Sequence, residues 1–318
     1  ITGSKYIAPN ISMLVKTSET GCLEVLWENG ANPISHLFAI IAEAGFSFDL
    51  LVNASGFGNV GDDAIAQAIC LLLGSNAERH IIISGFHVPK TIIRKARSII
   101  VGGGGIIYAG NIERPQLQNL ANYLKFPYIA KNFSIPCWLA FVGIQGNLAT
   151  SIHDSLLTKR FVTKALSECK AISTRDLFSH NQIKALLPKN SETRLSLSID
   201  PVILSKDLAR ARFTPQNSRF TNNSIVLSGE INLFMKLIGS PRYAKKVLDL
   251  CGFRKVLFVP MSCDDIGAER IISGFCKENE INYEVLTLKK IASDVIDLED
   301  ALSVYQELAG FIHITTRL

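Results

Sequence analysis

The chain has 318 residues, of which 47% are hydrophobic and 19% are charged. This balance excludes a chain that is disordered throughout, and it is typical of α/β proteins whose parallel strands are covered on both faces. The net charge is +5, but the basic residues are scattered along the sequence. We therefore expect no nucleic-acid partner and favour small anionic ligands or weak attraction to an anionic membrane surface.

The seven cysteines and six histidines form neither a disulfide pattern nor a metal-ligand pattern. No Cys-x-x-Cys pair occurs and most cysteines lie in apolar segments, which is typical of reduced core thiols. No run of about 18 apolar residues indicates a membrane-spanning helix, and the first residues lack the features of a signal peptide. We expect no bound metal and a cytoplasmic location, with peripheral association at the inner face of the membrane as the alternative.

Apolar strands alternate with amphipathic helices from residue 46 onward, whereas residues 1–45 form an N-terminal segment to which we assign no role. Strands are predicted at 48–53, 80–83, 98–101, 137–142 and 171–173, and helices at 62–73, 116–133 and 158–168. Strands separated by helices of this length form right-handed βαβ units and a parallel sheet. Residues 46–205 are therefore predicted to form an N-terminal Rossmann-like lobe.

A polar stretch at residues 206–223 separates this lobe from a second alternation and is typical of a connector. Strands are then predicted at 224–227, 255–259, 283–286 and 311–315, and helices at 241–251, 268–278 and 298–308. Residues 224–318 are predicted to form a C-terminal Rossmann-like lobe, which we expect to be truncated at its end because the sequence stops directly after a strand.

A glycine-rich turn links the first strand of the N-terminal lobe to its helix. It contains Gly58, Asn59 and Gly61, and Asp62 and Asp63 follow. Such a turn lets backbone N–H groups approach an anion, although two acids would repel a phosphate placed directly on the helix start. One acid then caps the helix while the other faces sugar hydroxyl groups; the alternative is a glycine-rich turn with a capping aspartate and no ligand.

Two further glycine-containing segments follow strands. Gly103 and Gly104 belong to a run of four glycines, which either exposes N–H groups as an anion cradle or provides a tight passage that needs positive φ. The run does not match GxGxxG and no acid follows at the distance expected for a ribose, which argues against a dinucleotide. After the next strand, Gln145 and Asn147 are candidate pocket-lining residues.

Charged residues follow three other strands. Arg175 comes after the strand at 171–173, where a guanidinium can hold a carboxylate or phosphate through two hydrogen bonds. Alternatively, it pairs with Asp176 or another neighbouring acid and ties the loop. Asp265 follows a strand of the C-terminal lobe, with helix capping as the alternative to ligand contact. Arg317 follows the last predicted strand.

These motifs, in this order, resemble those of the polysaccharide pyruvyl transferase family over residues 51–318. The segment GNVGDDAI resembles the family's opening signature, and the segment around Arg175 resembles its Ser-x-Arg-Asp motif. The sequence departs from the family at Gln145 and Asn147, where a small residue and a proline are usual. The family's closing motif is Arg-Leu-His, of which this sequence contains Arg317 and Leu318, so the histidine that the resemblance makes the general acid lies past the last residue.

The resemblance implies a GT-B-like fold, in which two Rossmann-like lobes with parallel sheets face a cleft. It implies phosphoenolpyruvate as the donor substrate, no cofactor, and transfer of the pyruvyl group as a ketal onto a sugar of a polysaccharide or glycolipid precursor. The acceptor would be a sugar or a lipid-linked oligosaccharide. Asp62 and Asp63 would act as bases, and the substrates would be bound by Arg175, Arg317, Gly58, Asn59, Gly61, Gly103, Gly104, Gln145, Asn147 and Asp265.

Two other functions are compatible with the sequence. A glycosyltransferase of GT-B shape would bind a nucleotide sugar and would need an acid that grips the ribose, for which no segment is clear. A family member without catalysis would bind sugar or act as a partner subunit, which the missing closing histidine favours.

Overall fold

The structure, a computed structural model, describes residues 13–17, 23–27, 48–54, 59–73, 80–85, 88, 90–108, 117–146, 156–204, 223–228, 245–246, 249–250, 252–260, 265–288, 298–308 and 312–315. The chain divides into two compact units, one comprising residues 1–57 and 61–206 and the other residues 58–60 and 207–318. The predicted connector, apart from Asn223, and most of the helix predicted at 241–251 lie outside the described residues.

The first unit is built on one mainly parallel sheet. Its described strands are β1 (Met13–Thr17), β2 (Leu23–Trp27), β3 (Phe48–Val52), β4 (His80–Ser84), β5 (Ala96–Tyr108), β6 (Cys137–Gln145), β7 (Ala171–Thr174) and β8 (Arg194–Leu197). They are arranged in the order β1-β2-β4-β3-β5-β6-β7-β8. β1 and β2 pair antiparallel, and the other neighbours pair parallel.

Helices connect these strands as the βαβ pattern predicts. The described helices are α1 (Val60–Leu73), α2 (Lys90–Ile93), α3 (Leu117–Asn132), α4 (Leu156–Ser167), α5 (Leu177–Leu186) and α6 (Pro201–Leu204). The prediction of an α/β fold with parallel sheets is therefore confirmed. The sequence pattern does not predict α2, α6 or β8, which have four residues each, or α5, which has ten.

Apolar side chains of the central strands alternate between the two faces of the first sheet, as the strand period of two requires. Leu50 and Val52 of β3 belong to one core cluster, and Leu51 between them belongs to another. The first cluster includes residues of α3, α4 and α5, such as Leu124, and the second includes residues of α1, such as Ile69. Both faces of the sheet therefore carry helices.

Strand β5 runs to Tyr108, well beyond the strand predicted at 98–101. Gly102 pairs with Ala140 and Gly104 pairs with Val142 of β6. The glycines therefore continue the strand instead of ending it, because the neighbouring strand satisfies their backbone groups. This pairing is a tertiary effect that the glycine run does not indicate, since glycine usually weakens a strand.

The second unit contains a smaller parallel sheet. Its described strands are β9 (Ser224–Ser228), β10 (Lys255–Phe258), β11 (Asn282–Val285) and β12 (Ile312–Thr315), in the order β11-β10-β9-β12. All neighbours pair parallel. Helix α7 (Ile266–Glu278) packs against one face through residues such as Ile272, and helix α8 (Leu298–Glu307) against the other through Ala301.

Candidate functional site

The candidate site lies at the carboxyl edge of the first sheet. Strands β3, β5, β6 and β7 are parallel, so their carboxyl ends share one edge. Asn53 follows β3, the glycine run lies in the second half of β5, Gln145 ends β6 and Arg175 follows β7. Ligands of open α/β sheets bind at such an edge.

Two glycines of β5 lie at positions where another residue would be strained. Gly103 has a φ of +81°, and a methyl group there would lie 2.0 Å from Cγ2 of Ile65 in α1. Gly104 has a φ of +77°. The positive φ expected for a tight passage is therefore present at both positions, while the role of these glycines in cradling an anion stays a prediction.

Asn53 fixes the backbone at the start of the glycine run. Its side chain is fully buried, and its Nδ2 donates a hydrogen bond to the carbonyl oxygen of Gly102 at 2.6 Å. The strand predicted at 48–53 ends at this asparagine, which is not among the predicted site residues. The available signal was a polar residue directly after a run of apolar strand residues.

Asp62 and Asp63 lie in the first turn of α1, where their charge interacts favourably with the helix dipole. Asp62 faces the glycine run, because its Oδ1 lies 2.8 Å from the position of a methyl group at Gly104. Asp63 is buried. Burial raises the pKa of the buried Tyr123 of α3, and the negative charge of Asp62 raises it further. Asp62 is thus the member of the pair that borders the carboxyl edge.

Gln145 lies over the last glycine of the run. A methyl group at Gly105 would lie 2.3 Å from Nε2 of Gln145, whose side chain is exposed. The amide therefore reaches from the end of β6 across to β5 and remains accessible to a ligand.

Four other predicted site residues are Gly58, Asn59, Gly61 and Asn147. Gly58 and Asn147 lie outside the described residues, whereas Asn59 and Gly61 are described and partly buried.

Arg175 is held at the mouth of β7 and lies over Gly143. Its backbone N–H donates to the carbonyl oxygen of Val142 at 3.2 Å, and a methyl group at Gly143 would lie 2.6 Å from its Nε. Nη1 donates to Oδ2 of Asp200 at 3.4 Å, and Nε lies 3.9 Å from Oδ2 of Asp176. The pairing with neighbouring acids that was considered from the sequence is therefore present.

The two acids hold Arg175 loosely because each has another task. Asp176 is the N-cap of α5 and accepts hydrogen bonds from the backbone N–H and the hydroxyl of Ser179, at 2.7 and 2.8 Å. Asp200 accepts from the backbone N–H of Val202 at 3.0 Å, at the start of α6. The contacts of 3.4 and 3.9 Å are longer than normal charge-assisted hydrogen bonds, so they bind the guanidinium weakly. An anionic ligand can compete for them.

Ser179 joins three elements of this edge. Its side chain is fully buried, donates to Asp176 and accepts from the backbone N–H of Ile144 in β6 at 2.8 Å. The ends of β6 and β7 are thereby fixed to the first turn of α5. The capping pattern Asp-x-x-Ser was visible in the sequence, but the contact with Ile144 was not.

Strand β6 carries backbone strain next to the site. Phe141 has a φ of +52°, which is unfavourable for a bulky residue, and its N–H donates to Oγ of Ser173 at 2.8 Å. The pairing of β6 with β7 shifts register between Leu139 and Val142. Strained backbone of this kind is concentrated at functional sites, and this bulge lies two residues before Gly143.

In the second unit, Asp265 occupies the N-cap position of α7. Its side chain is fully buried but makes no capping hydrogen bond, because its backbone is in the αR region and not in the extended conformation of a capping residue. Asp265 therefore occupies the capping position of α7 without making the capping hydrogen bond. Arg317 lies outside the described residues.

Within the described ranges, no group of three or more His, Cys, Asp or Glu side chains could hold a metal ion. Cys70, Cys137, Cys169 and Cys276 are buried and form no disulfide. Among the described helices, none combines the length and the apolar character that a membrane span requires.

A cavity of about 230 Å³ lies beside Trp138, Ala140 and Ser173, but none of the predicted site residues lines it.

Comparisons with known proteins identify the family. Among curated proteins, no relative matches the chain. A solved structure of UDP-N-acetylglucosamine 2-epimerase from Rickettsia bellii is similar with a TM-score of 0.44 and 12% sequence identity, over 76% of this chain and 68% of that one. The family model for polysaccharide pyruvyl transferase matches residues 59–307, which is most of the sequence. The chain therefore belongs to the polysaccharide pyruvyl transferase family.

Proposed function

We propose that the chain transfers the pyruvyl group of phosphoenolpyruvate, as a ketal, onto a sugar of a polysaccharide or glycolipid precursor. Family membership supports a pyruvyl transferase that acts on polysaccharide. The observation that carries the finer proposal is the position of Arg175, whose guanidinium lies over Gly143 at the carboxyl edge of the sheet and has only long contacts with acids.

Phosphoenolpyruvate carries a phosphate and a carboxylate, so its site needs fixed positive charge and N–H donors. Arg175 supplies the charge in the first unit, and Arg317 is the second proposed donor ligand. The glycine run brings backbone close to the ligand, because Gly103 and Gly104 have no side chains. The donor is already an activated enol phosphate, so the reaction needs no cofactor.

The chemistry needs one proton donor and one proton acceptor. Protonation of the donor's methylene carbon makes its central carbon electrophilic, and a sugar hydroxyl adds to that carbon and loses its proton. Phosphate then leaves with the C–O bond electrons, and a second hydroxyl closes the ketal and loses its proton. Asp62 is the better placed base of the two acids because it borders the glycine run, whereas Asp63 is buried.

We propose that this activity takes place on the cytoplasmic side, at a sugar or a lipid-linked oligosaccharide. Cys70, Cys137, Cys169 and Cys276 are buried without forming disulfides, which favours a reducing compartment.

A thermal shift experiment separates this function from its two rivals. We expect saturating phosphoenolpyruvate to raise the melting temperature by about 5 °C, because a ligand that binds only the folded state stabilises it. UDP-sugars alone are expected to have no effect. Stabilisation by a UDP-sugar alone would identify a glycosyltransferase, and stabilisation by neither would favour a sugar-binding member without catalysis.

The variant Arg175→Ala tests the residue on which the proposal depends. We expect it to abolish the shift caused by phosphoenolpyruvate without unfolding the chain, since Asp176 and Asp200 keep their backbone partners. Arg194→Ala is the matched control, because it removes an arginine from the start of β8 in the same unit, away from the carboxyl edge of the sheet. An Arg175→Ala protein that binds the donor as tightly as the wild type would refute the role.

A further inference from the structure

Three of the helices that pack on one face of the first sheet are basic. The helices α3, α4 and α5 contain two, three and one Lys or Arg residues, respectively, and no Asp or Glu. The net charge of the whole chain is +5, so these helices hold more positive charge than the entire surplus of the protein. The fold thus gathers basic residues that look scattered in the sequence.

A groove between α3 and α4 concentrates this charge. It is lined by Lys125, Tyr128 and Ile129 of α3 and by Arg160, Phe161 and Lys164 of α4, and has a volume of about 450 Å³. On each helix the lining residues are spaced three and four apart, so they form one stripe.

The floor of the groove is aromatic. The rings of Tyr128 and Phe161 stack with centroids 5.2 Å apart, and the Tyr128 hydroxyl donates to the carbonyl oxygen of Phe161 at 2.8 Å. Nζ of Lys164 lies 5.7 Å from the centroid of the Tyr128 ring. The groove is therefore an apolar surface with a cationic rim.

The rim has no acidic partner among the described residues. Glu168 lies close enough to add to the effect of burial in raising the pKa of Tyr128, but its carboxylate is bound to Nζ of Lys131 at 2.5 Å. Burial lowers the pKa of Lys125, because its ammonium loses water without gaining an anion. An external anion would compensate for that loss.

Exposed leucines continue the stripe at the start of α4. Leu156 is 62% exposed and Leu157 is 78% exposed. Leu157 precedes Arg160, Phe161 and Lys164 by three, four and seven positions, so all four lie on one side of the helix. Apolar residues flanked by Lys and Arg on one helix stripe are typical of segments that lie in a membrane interface.

We propose that the groove between α3 and α4 docks the protein on an anionic lipid surface. Lys125, Arg160 and Lys164 contact lipid phosphates, and Leu156 and Leu157 enter the headgroup boundary. A polyanion in solution would satisfy the cations and leave the leucines in water, whereas an uncharged apolar partner would cover the leucines and leave the cations unpaired. A lipid surface satisfies both.

Co-sedimentation with vesicles tests this docking. We expect the full chain to bind vesicles of phosphatidylcholine mixed with phosphatidylglycerol and not to bind vesicles of phosphatidylcholine alone. Salt should release the bound protein, because it screens surface charge. The vesicles contain neither phosphoenolpyruvate nor a sugar acceptor, so the result is independent of the proposed transferase activity. Equal binding to both kinds of vesicle, or to neither, would overturn the proposal.

Charge variants locate the contact. We expect the triple variant K125Q/R160Q/K164Q to bind phosphatidylglycerol vesicles about a hundredfold more weakly. The matched control R254Q/R270Q/K277Q removes three basic residues at exposed positions of the second unit and should bind within about threefold of the wild type, because those charges lie outside the groove. Equal losses in the two variants would overturn the proposal, and melting temperatures confirm that each variant folds.

A leucine variant separates the membrane from a soluble polyanion. L156S/L157S removes two apolar side chains, so we expect it to bind vesicles more weakly. It keeps every charge, so the remaining binding should still respond to salt. If it binds as tightly as the wild type while soluble polyphosphate displaces both proteins, the groove takes a soluble polyanion and the membrane proposal fails.

Discussion

The guanidinium of Arg175 occupies space that only a glycine at position 143 leaves open. A methyl group at Gly143 would lie 2.6 Å from Nε and 3.1 Å from Cζ of Arg175. Atoms cannot approach so closely, and the flexible arginine side chain would move before the backbone of β6 does. The glycine therefore determines where the charge lies, although it makes no hydrogen bond with it.

The variant Gly143→Ala is predicted to weaken donor binding about tenfold, because it displaces the cation from its position at the sheet edge. The fold should remain, since the clash is with a side chain. Isothermal titration with phosphoenolpyruvate measures the effect, and unchanged affinity would contradict it.

Gly274→Ala is the control for this substitution. A methyl group at Gly274 meets no atom within 4 Å, and the position lies inside α7. Alanine should stabilise that helix by about 1 kcal/mol and leave donor binding unchanged. A similar loss of affinity in both variants would show that Gly143 acts through general stability.

The sequence allowed some of these residues to be identified and concealed others. Arg175 could be found because a charged residue directly follows an apolar strand. Asn53 and Ser179 each gave a local signal, but their contacts could not be predicted, since their partners Gly102 and Ile144 lie 49 and 35 positions away in the chain. Such contacts depend on which strands become neighbours, and no local pattern encodes that.

At the scale of elements, two helices end in the same unfavourable way. After α3, Ser134 has a φ of +56°, the N–H of Ile135 bonds to the oxygen of Ala130, and that of Ser134 bonds to Lys131. After α7, Glu280 has a φ of +57°, the N–H of Ile281 bonds to the oxygen of Cys276, and that of Glu280 bonds to Lys277. These are Schellman motifs, in which glycine is the favoured residue at the position with positive φ.

Glu280→Gly is predicted to raise the free energy of unfolding by roughly 0.5 to 1 kcal/mol, because glycine adopts positive φ without a steric cost. Urea unfolding followed by circular dichroism measures the change. Glu278→Gly, two positions earlier at the last residue of α7, should lower stability instead, since glycine is unfavourable in the helical conformation. Equal effects of the two substitutions would contradict this explanation.

Predictions of elements succeeded where the period was clear. The strands at 48–53 and 137–142 correspond closely to β3 and β6, because apolar runs of that length between helices favour buried parallel strands. The extension of β5 through its glycines was missed, because pairing with β6 overrides the local preference of glycine for turns. Helix α5 was missed although Asp176 provides a capping signal at its start.

At the scale of the whole molecule, each unit has its own hydrophobic core. The clusters around β3 and β5 belong to the first unit, and those around β9 and β10 lie in the second. A unit with its own core can unfold as a separate cooperative step. The second unit contains fewer residues and is expected to bury a smaller fraction of its surface, which lowers its stability.

Buried cysteines report on the two units separately. Burial, followed by the neighbouring Cys137, raises the pKa of Cys169 in the first unit well above its ordinary range. Burial raises the pKa of Cys276 in the second unit to about 11. Because the thiolate is the reactive form, both should react slowly with a thiol reagent near pH 8 while folded and quickly once exposed.

We predict that Cys276 becomes reactive at a lower urea concentration than Cys169, as measured by mass spectrometry of labelled peptides. Raising the pH should reduce the stability advantage of the wild-type second unit over that of a Cys276→Ala variant. The unfolded thiol loses its proton near pH 8.5, whereas the folded thiol keeps it up to a pKa of about 11. The stability contributed by the protonated thiol is complete below pH 8.5 and declines between the two values. The urea midpoint of the wild-type second unit should therefore fall over that range more than that of the variant, and coincident labelling of both cysteines at every pH would show that the chain unfolds in one step.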